Sequence, residues 1–146
     1  CDMIKLLNTI VVNTEIEVSF TPEVKTYNIV TGFMSDNCRP FRVSEHIMIW
    51  ITEEGYIGEI ECIYPETVDT PLCSYSHDLS RKLGFPQIEI CSCDNEAYIQ
   101  HCDEGFTIWL NKEKMINKII DCNQFLLLVS GDELVAVKTQ ECNIVE

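Results

Sequence analysis

The fold is decided by a stretch of alternating sequence that reads Ile47-Met48-Ile49-Trp50-Ile51-Thr52-Glu53-Glu54-Gly55-Tyr56-Ile57-Gly58-Glu59-Ile60-Glu61-Cys62-Ile63-Tyr64. Both halves are of strand length and rich in β-branched and aromatic residues, which favour extended backbone. The two glutamates and the glycine between them are typical of a hairpin turn. The stretch therefore predicts two antiparallel strands, the first within a long β segment over 41–52 and the second over 56–64. The first is apolar on both faces, so we expect it to be central and covered on both sides.

The same pattern recurs in two later hairpins, over 97–110 and 125–138, whose turns contain an acidic residue and a glycine. Residues 15–20 alternate strictly between polar and apolar side chains, as a half-buried strand does. No linker or change of composition divides the chain. These patterns predict one mainly β (α+β) domain over 1–146. Its antiparallel, hairpin-rich sheet is expected to form a sandwich or a curved half-barrel.

Two segments have helical patterns. Asn111 is a suitable N-cap for an amphipathic helix over 111–122, in which Met115, Ile116, Ile119 and Ile120 form one apolar stripe. A shorter helix is expected over 76–83, where Gly84 and Pro86 follow as stop signals.

Acidity is the main indication of function. Between Arg42 and Lys112 lie thirteen carboxylates and only two basic residues, Arg81 and Lys82, in a chain of formal net charge −14. Ordinary surfaces intersperse both signs, so this tract favours a binding surface for a cationic partner. The alternative is a solvated face that only keeps the protein soluble. Such a charge opposes binding to nucleic acid, which depends on neutralising phosphates.

The alternation of side chains between the two faces of a strand locates some of these carboxylates more precisely. Glu59 and Glu61 project from the same face of one strand, about 7 Å apart. If the first two hairpins are neighbours, their acidic turns form one anionic edge. The residues expected to bind the partner are those of this strand, of the two turns and of the intervening loop: Glu53, Glu54, Glu59, Glu61, Glu66, Asp69, Asp103 and Glu104.

Catalytic and metal sites have weaker signals. Paired carboxylates would need a cleft to act on a sugar, and no calcium-loop pattern is present. Cys91 and Cys93 point the same way in a strand, so with His101 or Cys102 they give an alternative as a zinc site. Their spacing is not that of a zinc knuckle, which favours packed thiols instead. A hydrolase pairing a cysteine with one of the three histidines is a further alternative, although no nucleophile elbow is present. The prediction is a protein without catalytic activity or cofactor.

The nine cysteines also bear on the compartment. An odd count, with several cysteines inside apolar strand patterns, favours reduced thiols over a disulfide scaffold. No apolar run approaches the roughly 18 residues of a membrane span, and no signal peptide is visible. We therefore expect a cytoplasmic protein with no contact to a membrane. Whether a leader precedes Cys1 stays open.

This profile resembles the immunity proteins of bacterial contact-dependent growth inhibition and other polymorphic toxin systems. The resemblance rests on an acidic β domain with no catalytic motif, and on hairpins such as the one over 50–61. It implies a cytosolic partner that neutralises a cationic toxin, often a nuclease, by covering or plugging its phosphate-binding site. These proteins are too diverse for any family site to be transferred to particular residues. A generic adaptor subunit is the remaining alternative.

Overall fold

The computed structural model describes residues 4–91 and 96–146. The protein is mainly β, with 60% of residues in strands and 2% in helix. No helix in these ranges is long and apolar enough to cross a membrane. Among the described residues there are fifteen strands, in chain order β1 (Ile4–Ile10), β2 (Ile16–Thr21), β3 (Thr26–Thr31), β4 (Arg39–Arg42), β5 (Ile47–Ile51), β6 (Ile57–Ile63), β7 (Glu66–Thr67), β8 (Ser74–Leu83), β9 (Phe85–Ile90), β10 (Tyr98–His101), β11 (Phe106–Trp109), β12 (Met115–Asp121), β13 (Phe125–Ser130), β14 (Glu133–Thr139) and β15 (Asn143–Ile144).

The strands form two mixed sheets that are not closed into a barrel. The larger sheet has nine strands, seven of them in the order β7-β10-β11-β14-β13-β12-β8, and β1 joins β9 to it by pairing with β14. The smaller sheet has six strands in the order β15-β2-β3-β6-β5-β4. Most pairs are antiparallel, as the hairpins predict, but β7–β10, β8–β12 and β2–β15 are parallel.

The two sheets share one hydrophobic core. Alternate residues of each strand point into it, because side chains in a strand alternate between its faces. The larger sheet contributes Ile99, Ile108, Leu127 and Val137, and the smaller sheet contributes Ile29, Ile49, Ile60 and Cys62. A smaller cluster on the other face of the larger sheet includes Trp109, Leu128 and Ala136, against which Val68, Leu72 and Cys73 pack.

All three predicted hairpins are confirmed, as the pairs β5–β6, β10–β11 and β13–β14. The prediction of one long segment over 41–52 is wrong, because the chain turns back between β4 and β5. The N–H of Val43 donates to the carbonyl of Ile47 at 3.0 Å across this turn. β5 is also covered on one side only, since Ile49 is buried whereas Met48 and Trp50 remain partly exposed.

The amphipathic helix predicted over 111–122 is absent, and the segment contains strand β12. β12 lies between β13 and β8 and buries isoleucines on both faces: Ile120 belongs to the core between the sheets and Ile119 to the outer cluster. When a strand buries residues on both faces, its apolar residues can have the same spacing along the sequence as the apolar stripe of a helix. The β-branched isoleucines favour the extended backbone. Met115, which the helix would bury, is 53% exposed.

The short helix predicted over 76–83 is also wrong, because the segment lies within strand β8 at the edge of the larger sheet. β8 pairs with β12 and gives the backbone of that strand the hydrogen-bond partners which buried strands require. Gly84, with φ +153°, follows β8 and donates its N–H to the carbonyl of Asp121 at 3.0 Å. The stop predicted at Gly84 is confirmed, but it ends a strand and not a helix.

Candidate functional site

The outer face of the smaller sheet carries the two glutamates that strand parity singled out. Paired residues on neighbouring strands point to the same side of a sheet, so the register defines which side chains share this face. Glu59 is opposite Trp50 on β5 and Val30 on β3, and Glu61 is opposite Met48 and Asn28. The face extends to the flanking strands and includes Glu17, Ser19, Asn28, Val30, Pro40, Arg42, Met48, Trp50, Glu59 and Glu61.

Apolar side chains lie directly beside the two carboxylates. Trp50 and Met48 are on β5, one strand spacing of about 4.8 Å from Glu59 and Glu61 on β6. All four side chains are partly exposed, since the core lies on the opposite side of the sheet. The arrangement can contact a partner through apolar surface at its middle and through charge next to it, as protein interfaces do.

Glu59 is perturbed by its surroundings. Partial burial raises the pKa of Glu59 above its usual value, and the charge of Glu61 raises it further. The side-chain amide of Asn28 opposes both effects by donating from Nδ2 to Oε2 of Glu59 at 3.1 Å. The pair therefore holds two like charges at close range, partly removed from water, which a cation supplied from outside would stabilise.

The basic residues of the protein do not neutralise this face. Within 4–91 and 96–146, ion pairs form between Lys5 and Asp132, Arg81 and Asp121, Lys112 and Glu96, and Lys114 and Glu133. Arg42 shares the face but lies two strands away from Glu61, and its guanidinium donates to the carbonyl of Glu45 at 3.1 Å. None of the carboxylates predicted to bind a partner takes part in an ion pair within those ranges.

A substitution pair tests the coupling between the glutamates. We expect Glu61→Gln to lower the pKa of Glu59 because it removes the like charge, and Asn28→Ala to raise it because it removes the donor. The folded-state pKa of Glu59 lies above the unfolded value, so the folded protein holds this proton more tightly. The contribution of Glu59 to stability is therefore lost as pH rises through its folded pKa. A carboxyl ¹³C NMR titration measures the shift, and Glu53→Gln is the control that should leave it unchanged.

Glu53 and Glu54 are exposed in the turn that joins β5 to β6. This turn packs against the larger sheet: the carbonyl of Gly55 accepts from the N–H of Ile88 at 2.8 Å, and that of Glu54 accepts from Nε2 of Gln87 at 2.6 Å. The contacts fix the backbone and leave both carboxylates at the end of the same hairpin that carries Glu59 and Glu61. The four residues therefore belong to one supersecondary unit.

Glu66 and Asp69 lie elsewhere. Glu66 is in β7, which pairs with β10 of the larger sheet, and Asp69 follows it in an exposed loop. Glu66, Glu45 and Glu96 line a small cavity of about 180 Å³. These carboxylates are a separate acidic group.

Asp103 and Glu104 are exposed in the turn between β10 and β11, far from the other acidic turn. The preceding His101 has its Nε2 atom 2.6 Å from the hydroxyl oxygen of Tyr27. Tyr27 pairs with Cys62, at the end of β6 away from residues 53–55, and the five residue-to-residue steps from Ile57 to Cys62 span about 17 Å. The two acidic turns therefore do not share one edge.

The residues of the zinc alternative are not brought together. Cys91 follows β9 and His101 ends β10, and these two strands do not pair with one another. His101 is hydrogen-bonded to Tyr27, the thiol of Cys102 lies 3.4 Å from the hydroxyl of Thr107, and Cys93 lies outside the described residues. In the part of the chain that the structure describes, no three His, Cys, Asp or Glu side chains are placed to hold a metal ion.

The thiols of this protein are in different surroundings. The seven cysteines within the described ranges are free, and Cys62, Cys73 and Cys122 are buried. Burial raises the pKa of Cys62 to about 12 and also raises that of Cys122, which disfavours the nucleophilic thiolate at neutral pH. Over the same ranges, Nδ1 of His46 is hydrogen-bonded to the carbonyl of Ile63, and Nε2 of His101 is hydrogen-bonded to the hydroxyl of Tyr27.

Sequence reasoning missed the apolar part of the candidate face. The strand that contains Trp50 is apolar on both faces, which predicts cover on both sides, yet Trp50 lies with Met48 on the outer face. The alternation of β6 contained a usable signal, since a strand that places glutamates on one face makes the same face of the neighbouring strand an outer face. The amide of Asn28 could not be found without the register of β3 and β6.

No protein-family model matches the sequence, and no curated protein shows significant similarity to it.

Proposed function

We propose that this protein is an acidic binding domain that docks a cationic protein through the outer face of its smaller sheet. The observation that carries the proposal is the pairing of Glu59 and Glu61, two adjacent carboxylates without an ion-pair partner in the described ranges, beside the partly exposed Trp50 and Met48. A lysine or arginine of the partner would offset the burial and the repulsion from Glu61 that together raise the pKa of Glu59.

The distribution of charge supports a fast, electrostatically steered association. The formal net charge of −14 attracts a cationic protein over a distance, and Glu53 and Glu54 extend the negative potential along the same hairpin. Aromatic and methionine side chains are enriched in the middle of protein interfaces, which is the position of Trp50 and Met48 relative to the acidic residues.

The finer form of the proposal is an immunity protein that neutralises a toxin, with a nuclease as the favoured target. A nuclease holds phosphates with basic side chains, and carboxylates spaced about 7 Å apart on β6 are close to the spacing of successive phosphates along one strand of nucleic acid. An inhibitor with this face would cover or plug such a site through charge-assisted hydrogen bonds.

The experiment compares the wild type with the double variant Glu59→Lys/Glu61→Lys. Each is immobilised and exposed to an extract of the source cells; proteins retained by the wild type are identified, purified and titrated against both. We expect a basic partner whose affinity falls by about tenfold to a hundredfold in the variant, since each close charge pair contributes on the order of 1.5 kcal/mol. Association with the wild type should also slow as salt is added.

The matched control is Glu23→Lys/Glu113→Lys, which changes the net charge equally at exposed positions outside this face. A purified partner that binds wild type and Glu59→Lys/Glu61→Lys with equal affinity would show that the face is not used. Equal losses in both double variants would mean that only overall charge matters. A basic partner that degrades nucleic acid, and is inhibited on mixing, would support the immunity function in particular.

A further inference from the structure

A second feature of the protein is a cavity of about 500 Å³ at the end of the two sheets where β2 and β3 meet the β10–β11 turn. Its apolar wall includes the ring of Phe20, which stacks on Tyr27 with centroids 4.4 Å apart, and Phe106, which contacts Tyr27 edge to face at 4.9 Å. Ile144 of β15 also lines the cavity. Its volume lies within the range of small-molecule sites.

Three acidic residues also line the cavity. Asp103 and Glu104 come from the β10–β11 turn, and Glu141 comes from the segment that follows β14. They reach the cavity from two separate parts of the chain, so the arrangement is a product of the fold and not of one acidic run. No lysine or arginine is among the lining residues within the described ranges.

The hydroxyl of Tyr27 is hydrogen-bonded within the wall. The hydroxyl of Tyr27 lies 2.6 Å from Nε2 of His101, so these two groups satisfy one another. Burial raises the pKa of Tyr27 to about 12, and the phenol therefore stays neutral at physiological pH. The ring of His101 contacts Phe20 edge to face with centroids 5.5 Å apart, which continues the aromatic surface toward solvent.

We propose that this cavity binds the guanidinium or alkylammonium group of an organic cation. The aromatic wall led by Phe20 takes the apolar part and the positive charge, as aromatic faces do, and the three carboxylates at the mouth accept its N–H donors. The site lies away from Glu59 and Glu61, and the proposal does not depend on the function of that face.

Other ligand classes fit less well. An anion would meet three carboxylates with no basic residue beside them. A hard divalent cation needs six or more converging oxygen ligands, whereas much of this wall is aromatic or aliphatic carbon. An uncharged apolar ligand would leave the carboxylates without partners, so its binding would be stabilised only by contacts with Phe20 and its neighbours.

The test is an NMR titration of the whole chain with Nα-acetylarginine amide and with its uncharged citrulline counterpart. We expect saturable shifts of the Phe20, His101 and Ile144 resonances with the arginine compound and none with citrulline. Parallel titrations with methylguanidine and tetramethylammonium separate the two sources of the cation. Binding of these small ions as tightly as the arginine compound indicates a free metabolite-like ligand, and tighter binding of the arginine compound indicates a side chain of a protein.

Substitutions connect the binding to the cavity. Asp103→Asn/Glu104→Gln/Glu141→Gln should weaken binding of the arginine compound roughly tenfold or more, because hydrogen bonds to charged groups are lost. The control Glu23→Gln/Glu89→Gln/Glu113→Gln removes the same charge at exposed positions elsewhere and should bind as the wild type does. Equal weakening in both triple variants, equal shifts with citrulline, or no saturable shift with any cation would overturn the proposal.

Discussion

Gly105→Ala lowers the free energy of unfolding by about 3–5 kcal/mol, the larger of the two stability effects expected here. A Cβ atom at this buried position would lie 2.6 Å from the carbonyl oxygen of Thr139 and 2.7 Å from its Oγ1 atom. That hydroxyl accepts from the N–H of Phe106 at 2.9 Å and donates to the carbonyl of Phe106 at 3.1 Å. The contacts involve backbone as well as side chain, so β11 and β14 must separate and the buried hydrogen bonds must weaken.

Urea unfolding of wild type and variant measures this loss as a lower midpoint at an unchanged slope. Gly131→Ala is the matched control, since the same methyl group is added in the turn between β13 and β14. Nothing lies within 4 Å of that position, and only the left-handed φ of +66° disfavours alanine, by about 1 kcal/mol. Equal destabilisation in the two variants would contradict the close contact between Gly105 and Thr139.

Ile120→Ala is expected to destabilise the protein by about 2–5 kcal/mol, as truncation of a fully buried isoleucine does. Ile120 has an exposed fraction of 0% and lies in the core between the two sheets. The surrounding strands β8 and β13 hold β12 on both sides, so the site can collapse only partly around the lost methyl and methylene groups.

Met115→Ala is the comparison that separates the strand from the helix predicted for this segment. In the helix, Met115 and Ile120 belong to one apolar stripe and would have similar costs. In strand β12, Met115 is 53% exposed, and its truncation should change the free energy of unfolding by no more than about 0.5 kcal/mol. Comparable losses for the two variants, measured by urea unfolding, would contradict the strand.

The hairpins could be predicted from the sequence because their signals are local. In the β5–β6 and β13–β14 hairpins, strand-forming residues flank a short turn that contains a glycine with positive φ, Gly55 at +98° and Gly131 at +66°. Such a turn brings its two flanking strands together without help from the rest of the chain. The turn between β4 and β5 lacks a glycine, and it was therefore missed.

The two helices were predicted wrongly because spacing alone does not distinguish a helical stripe from a strand buried on both faces. Ile116, Ile119 and Ile120 satisfy either pattern, and the choice depends on β13 lying on one side of the segment and β8 on the other. Parallel pairing of β8 with β12 joins segments about forty residues apart in the chain, as in the pair Met115 and Ser74. Contacts over such distances leave no local signal.

The candidate face also combines features that the sequence predicts with features that depend on the tertiary structure. The shared direction of Glu59 and Glu61 followed from the two-residue period of a strand and from nothing else. Their surroundings did not: the opposing Trp50 and Met48, and the amide of Asn28, depend on the register of three strands. The distant location of Asp103 and Glu104 depends on which sheet receives their hairpin.

By itself, the sequence determined the β class, three hairpins, the parity of the acidic strand and the excess of negative charge. These properties follow from side-chain alternation, turn residues and composition, all of which act over a few neighbouring positions. Only the tertiary structure decided that residues 76–83 and 111–122 are paired strands, that Trp50 faces outward, and that the acidic turns are far apart. The physical reason is that burial and strand pairing are satisfied between distant segments, and they outweigh local preference wherever the two differ.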